Sequence, residues 1–122
     1  MLFVSGQGPR SGGDYRTGKL GYDVSVEQGY QHAKLAGLAI LAAMHAALGT
    51  LERVRRVAKV FGMVNATPEF ADHATVINGC SDLFIAVFHE AGHHARSAVG
   101  MASLPYQITV EVEAIVEVVE GQ

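Results

Sequence analysis

Apolar residues recur at helical spacing in two stretches of the chain and at strand spacing in several others. The first segment, Met1 to Ser5, reads as a short strand running into a loop with Gly6, Gly8, Gly12 and Gly13. A brief second strand is expected around Lys19 to Tyr22. A long helix is predicted from Val26 to Leu48: Ser25 is suited to cap it, Gln28 completes a capping box, and Gly49 supplies the stop. Its stripe of Tyr30, Ala33, Gly37, Ile40, Met44 and Leu48 is mostly small, which suits close packing on a sheet. Arg53 to Asn65 is β-branched and nearly continuously apolar in its second half, the signature of a central strand. Thr67-Pro68-Glu69 should open a short helical turn, with Pro68 at the first helical position. A second helix, about Ala74 to Ala91, carries Val76, Cys80, Leu83 and Val87 in a stripe and ends at Gly92. Two strands follow, Arg96 to Ser103 and Ile108 to Val118, joined by Leu104-Pro105-Tyr106-Gln107, a connection of hairpin length. In the last strand Val110, Val112, Ala114, Val116 and Val118 alternate with Thr109, Glu111, Glu113, Ile115 and Glu117. The pattern predicts an α+β domain with two helices on one face of a sheet. The other face is half apolar and carries acids, which points to self-association.

Composition narrows the function classes. The 122 residues fit one domain, and at 49% apolar and 17% charged the chain is not disordered. Nine basic residues against twelve acidic ones give a net charge of -3, without the basic surplus of a sequence-independent nucleic-acid binder. The single cysteine, Cys80, allows no intrachain disulfide and favours a cytoplasmic setting. Met1 to Arg10 lacks the pattern of a signal peptide, and the longest apolar stretch, Leu35 to Ala47, is too short to span a bilayer.

Several constellations bear chemistry. His89-Glu90-Ala91-Gly92-His93 matches the zinc-protease pattern H-E-x-x-H. A glycine where the helix should stop, with a strand close behind, argues instead for a polar helix end and no metal. If Ser103 and Ile108 pair across a hairpin, Arg96, Ala98 and Gly100 share the uncovered sheet face with Thr109, Glu111 and Glu113. An arginine there is a bidentate carboxylate clamp, and a neighbouring glutamate can manage the proton of a water. The plainer reading is an intersubunit salt bridge. Ser5-Gly6-Gln7 is a turn at a strand end, and Asn78-Gly79 sits inside a helix that neither residue favours, Gly79 allowing close backbone approach. Arg53, Arg55 and Lys59 would share a strand face, without the interleaved aromatics of an RNA platform. His32, His45, His73 and His94 show no convergent pattern and read as solvated or core-edge groups.

Taken in order, Leu2-Phe3-Val4-Ser5-Gly6-Gln7, Asn78-Gly79, Ala95-Arg96-Ser97-Ala98-Val99, Leu104-Pro105 and Val110-Glu111-Val112-Glu113-Ala114-Ile115 resemble the Rid family, also called YjgF or reactive intermediate deaminase. The resemblance covers nearly the whole chain. It implies a chorismate-mutase-like fold over 1–122, a mixed sheet, and a homotrimer with sites at subunit interfaces. It implies hydrolysis of 2-imino and enamine acids such as 2-aminoacrylate to a 2-keto acid and ammonia, with no metal or organic cofactor. The alternatives are a trimeric binder of small carboxylates without turnover and, against the net charge, the endoribonuclease activity also ascribed to the family. By resemblance Arg96 grips the substrate carboxylate, and Glu111, 15 residues on, positions the attacking water. Ser5 and Gly6 line the pocket, Asn78 matches a pocket asparagine, and Ala98 stands where a cysteine is frequent, leaving only its backbone N–H to contribute. The family's further strand ahead of Ser5-Gly6-Gln7, with its tyrosine, has no counterpart after Met1. Either the start is truncated or this variant lacks the strand, and Tyr15, Tyr22 and Tyr106 are the possible substitutes.

Overall fold

The computed structural model describes residues 1–120; the last two residues of the 1–122 domain lie outside the described residues. The chain forms β1 (Leu2–Gln7), a ribbon of β2 (Arg10–Ser11) and β3 (Asp14–Tyr15), α1 (Val26–Leu48), β4 (Val54–Asn65), α2 (His73–Phe88), β5 (Ala95–Met101) and β6 (Val110–Val118). Four strands make one mixed sheet in the order β1-β6-β4-β5. Only β4 and β5 run parallel, with α2 as the crossover between them. The interior strands β4 and β6 are the most apolar, as burial on one face and pairing on both edges require.

Both helices cover the same sheet face, as the periodicity predicts. α1 has the predicted bounds because its ends are chemically marked. Ser25 accepts from the Gln28 amide while the Gln28 side chain accepts from the Ser25 amide, and Gly49 takes φ 82° at the stop. The core between the layers holds Ala33, Ala36, Ile40 and Met44 of α1, Val76, Ile77, Cys80 and Phe84 of α2, and Val57, Val60, Val64, Val110, Val112 and Val116 of the sheet. The two helices meet at glycines. A methyl group on Gly79 would land on the Tyr30 carbonyl of α1, which is the close approach expected of it.

Four expectations are corrected. No strand forms at Lys19 to Tyr22; the Asp23 carboxylate accepts the Lys19 amide at 2.8 Å, and Tyr22 and Asp23 donate back to the Lys19 carbonyl, closing a turn. Thr67 to Phe70 is one hydrogen-bonded turn rather than a helical start. α2 ends at Phe88, because His89 takes φ 55° and a short 3-10 turn runs on to Gly92. The last two strands do not form a hairpin. β4 lies between them, paired with β5 from Lys59–Ala95 to Asn65–Met101 and with β6 from Val54–Val118 to Val64–Val110.

The expected basic strand face also dissolves. Arg53 sits in a 3-10 turn and donates to the Val119 and Leu48 carbonyls. A register shift between Val54 and Arg56 breaks the alternation, and Arg56 pairs with Glu117 at 2.9 Å. The uncovered sheet face exposes Phe3 (72%) and shapes a hollow of about 270 Å³ with Lys59, Phe61, Glu113 and Ile115.

Candidate functional site

The hairpin was the premise for placing Arg96 beside Glu111, and its absence separates them. In the parallel ladder Arg96 lies opposite Val60 and Ala98 opposite Gly62. Val60 and Gly62 are buried under the helices, so Arg96 and Ala98 point to the helix side. Glu111 lies opposite Met63 and Glu113 opposite Phe61, on the uncovered side. Within one protomer the predicted residues therefore fall into two groups on opposite faces of the sheet.

The uncovered group is Ser5, Gly6 and Glu111. A register shift between Val4 and Gln7 marks a bulge in β1 that carries Ser5 and Gly6. The Glu111 carboxylate lies against the Cα of Gly6, where a methyl group would collide with Oε2. A side chain at position 6 would therefore push the Glu111 carboxylate aside, so glycine here leaves room for that group rather than serving backbone freedom. Ser5 is exposed, and its carbonyl accepts from the Gln7 side-chain amide at 3.2 Å.

The helix-side group is Arg96, Asn78 and Ala98, and its geometry is more specific. Asn78 and Ser81 lie three residues apart on α2 and so face the same way. Arg96 Nη1 donates to Asn78 Oδ1 at 2.8 Å and to Ser81 Oγ at 3.1 Å. A guanidinium nitrogen Nη1 has two hydrogens, and both are now engaged. Nε and Nη2 have no partner among the described residues. Their shared edge has the spacing of a carboxylate. Arg96 borders a cavity of about 310 Å³ lined also by Asn78, Ser81, Asp82, Ile85, His93 and His94.

Behind Arg96 the chain of hydrogen bonds has one direction when the His94 imidazole is neutral. Gly92 O is 2.6 Å from His94 Nδ1, and a carbonyl only accepts, so Nδ1 carries the hydrogen. Arg96 only donates, so Ser81 Oγ accepts from it. The Ser81 hydroxyl hydrogen then goes to His94 Nε2, 2.8 Å away. The imidazole must be neutral for this arrangement. Burial lowers the His94 pKa, opposed by the Gly92 hydrogen bond and assisted by the positive charges of Arg96 and His93. Burial pushes the nearby Cys80 thiol up to about 12, so it is a core residue and not a nucleophile.

Ser81 and His94 were missed in the sequence, where His94 read as a solvated or core-edge group. Two spacings carried the signal: Ser81 follows Asn78 by one helical turn, and His94 precedes Arg96 by two residues, the repeat of a strand face. The H-E-x-x-H match has no helical basis, since His89 and His93 belong to the 3-10 turn and its exit and not to one helix face. Among the described residues no three His, Cys, Asp or Glu side chains converge as a metal site. Tyr22 and Tyr106 are exposed on loops and Tyr15 lies on the ribbon, where Arg10 stacks over its ring at 5.8 Å; none lines the Arg96 cavity.

A family model described as "YjgF/chorismate mutase-like, putative endoribonuclease" matches residues 1–118. The chain is 46% identical to protein TCP17 of Trypanosoma cruzi over 119 residues, 96% of this chain and 74% of that one. Protein Atu1372 of Agrobacterium tumefaciens, a solved structure of unknown function, matches with a TM-score of 0.93 and 48% identity, covering 95% of this chain and 75% of its own. The structure of E. coli TdcF with bound serine matches with a TM-score of 0.60 and 25% identity, covering 97% and 80% of the two chains.

Proposed function

This chain belongs to the YjgF/chorismate mutase-like family, and from that premise we propose that it is a hydrolytic deaminase of small 2-imino and enamine acids, 2-aminoacrylate among them. The observation that carries the reading is the free Nε/Nη2 edge of Arg96, held at a cavity by Asn78 and Ser81. Such an edge selects a planar anion over a neutral ligand. The serine held by the relative TdcF is a small molecule with a carboxylate.

The enamine first tautomerises to the imine. Water then adds to the C=N carbon, its oxygen forming the new bond and a proton passing to nitrogen. The carbinolamine loses ammonia, the C–N bond breaks, and the 2-keto acid remains. Anchoring the carboxylate fixes the distance from the C=N carbon to the water, an orientation effect. Glu111 takes and returns the protons, a role worth about 10²–10⁴-fold.

Because Arg96 and Glu111 lie on opposite faces of one sheet, the reading assigns them to one site only when two copies of the chain supply them. A homotrimer with sites between subunits is the assembly proposed. Its proposed contact surface runs over the uncovered face, where Phe3 is 72% exposed and Val99 36%, to the free edge of β5, the strand that carries Arg96. Among the described residues no helix is long and apolar enough to cross a membrane. The cytoplasmic setting is proposed on the lone, free Cys80.

The separation of Arg96 from Glu111 favours one second reading, a carboxylate binder without turnover. The test generates a 2-imino acid in place with an amino-acid oxidase and traps what survives with semicarbazide. Wild type should lower the trapped imine and Arg96→Ala should not. If neither lowers it while the wild type alone still binds 2-oxobutyrate, the protein is a binder. If Arg96→Ala matches the wild type in turnover, the assignment of Arg96 is wrong.

A further inference from the structure

We propose that Ser81 and His94 are positioning residues of the anion site, acting through Arg96; the inference rests on the reading of Arg96 as the carboxylate grip. An arginine side chain on an edge strand has several rotatable bonds and five donors, and without fixed acceptors its guanidinium samples many orientations. Here one acceptor comes from Asn78 and the other from Ser81, a side chain only 7% exposed. A serine hydroxyl is free to turn, and which way it offers its lone pairs depends on where its own hydrogen goes. His94 Nε2 takes that hydrogen, and Gly92 O fixes the ring by holding Nδ1–H. The ring is further packed edge-on against Phe84, with centroids 6.0 Å apart. So a backbone carbonyl at the end of the 3-10 turn determines, through two side chains, which edge of Arg96 meets the ligand. This gives the 3-10 turn from His89 to Gly92 a role in the site without any metal.

The geometry makes separable demands. Removing the Ser81 hydroxyl leaves Arg96 with Asn78 alone. Replacing His94 by glutamine keeps an uncharged acceptor within reach of the Ser81 hydroxyl, and alanine does not. The experiment uses the full chain with 2-oxobutyrate as the probe. Affinity is measured by titration calorimetry, thermal midpoints on the same samples, and Arg96 by nitrogen-15 NMR of the guanidinium. In the wild type the two Nη signals of Arg96 should be resolved, because rotation about the Cζ–Nε bond is blocked. Ser81→Ala and His94→Ala should each weaken binding about tenfold, the effect of one hydrogen bond to a charged group. Both should average the Nη signals while the protein remains folded. His94→Gln should restore affinity to within about threefold and keep the signals apart, which a merely structural loss would not do.

Ser81→Ala binding as tightly as wild type, with Arg96→Ala not binding, overturns the positioning role and leaves the grip standing. Arg96→Ala binding like wild type, or no binding by the wild type, overturns the functional reading instead. The Nη signals then still decide the arrangement: averaged signals in the wild type, or resolved signals in Ser81→Ala, refute it.

Discussion

Gly79→Ala is a sharp test of how the two helices set the site, because Gly79 lies between Asn78 and Ser81 in sequence and faces α1. An added methyl would collide with the Tyr30 carbonyl oxygen and stand 2.9 Å from its carbon and 3.1 Å from the Lys34 nitrogen. These are backbone atoms of a helix, so no side chain can swing aside and α2 must lift off α1. Overpacking of this kind costs about 1–3 kcal/mol. The substitution also removes a glycine from a helix interior, which returns about 1 kcal/mol. With the clash at the upper end of its range, the net loss is about 2 kcal/mol. An unfolding entropy of about 2.1 cal/mol/K per residue gives about 0.26 kcal/mol/K for 122 residues, hence a fall in Tm of about 8 °C. Gly37→Ala is the internal control on the facing helix. Its methyl would meet Leu83 Cδ2 at 3.0 Å and Cys80 Sγ at 3.1 Å, side-chain atoms that yield by a few tenths of an ångström. There the helix-propensity gain nearly offsets the crowding, and Tm should stay within about 4 °C of the wild type. Differential scanning calorimetry of the three proteins at one concentration is the assay. A Gly79→Ala protein as stable as wild type, or less perturbed than Gly37→Ala, would refute the backbone-contact argument.

Further outcomes follow from the two-sided arrangement. Arg96→Ala and Glu111→Gln, each inactive alone, should regain imine hydrolysis when unfolded together and refolded, since mixed assemblies rebuild intact sites; continued silence of such hybrids counts against a shared site. Gly6→Ala should lower kcat with little change in Tm, because the methyl displaces only the mobile end of Glu111; an unchanged kcat removes Glu111 from the chemistry. Burial lowers the pKa of His94 and of His32, the latter assisted by the charge of Arg16. The unfolded chain therefore binds protons more readily than the native one below about pH 6.5, and Tm should fall as pH is lowered through that region. His94→Gln should flatten part of this fall; a slope identical to wild type would show that His94 contributes nothing to it.

Local chemistry made much of the fold legible. α1 could be bounded from Ser25, Gln28 and Gly49 because its caps are satisfied within a few residues of each end. The valines of β6 and the second half of β4 declared their buried face by alternation and β-branching. The turn at Lys19 to Tyr22 was less readable, since an aspartate side chain and a distant strand hold it together. Arg96, Asn78, Gly6, Ser5, Ala98 and Glu111 could be named from short motifs, but motif order is silent about which sheet face each residue takes.

That last point divides what the chain determines by itself from what tertiary structure decides. Residue types, helix caps, strand period and the close approach at Gly79 are properties of neighbours in sequence, and they are readable there. Strand order is a property of the whole sheet. Leu104 to Gln107 has hairpin length, yet β4 enters between β5 and β6 because its apolar run buries best in the centre. That single choice reverses the side on which Arg96 stands relative to Glu111, since a residue's face follows from its partner strand and register. It also brings Ser81 and His94, 13 residues apart, within 2.8 Å behind the guanidinium. The chemistry of each group was written locally; its company was assigned by long-range pairing.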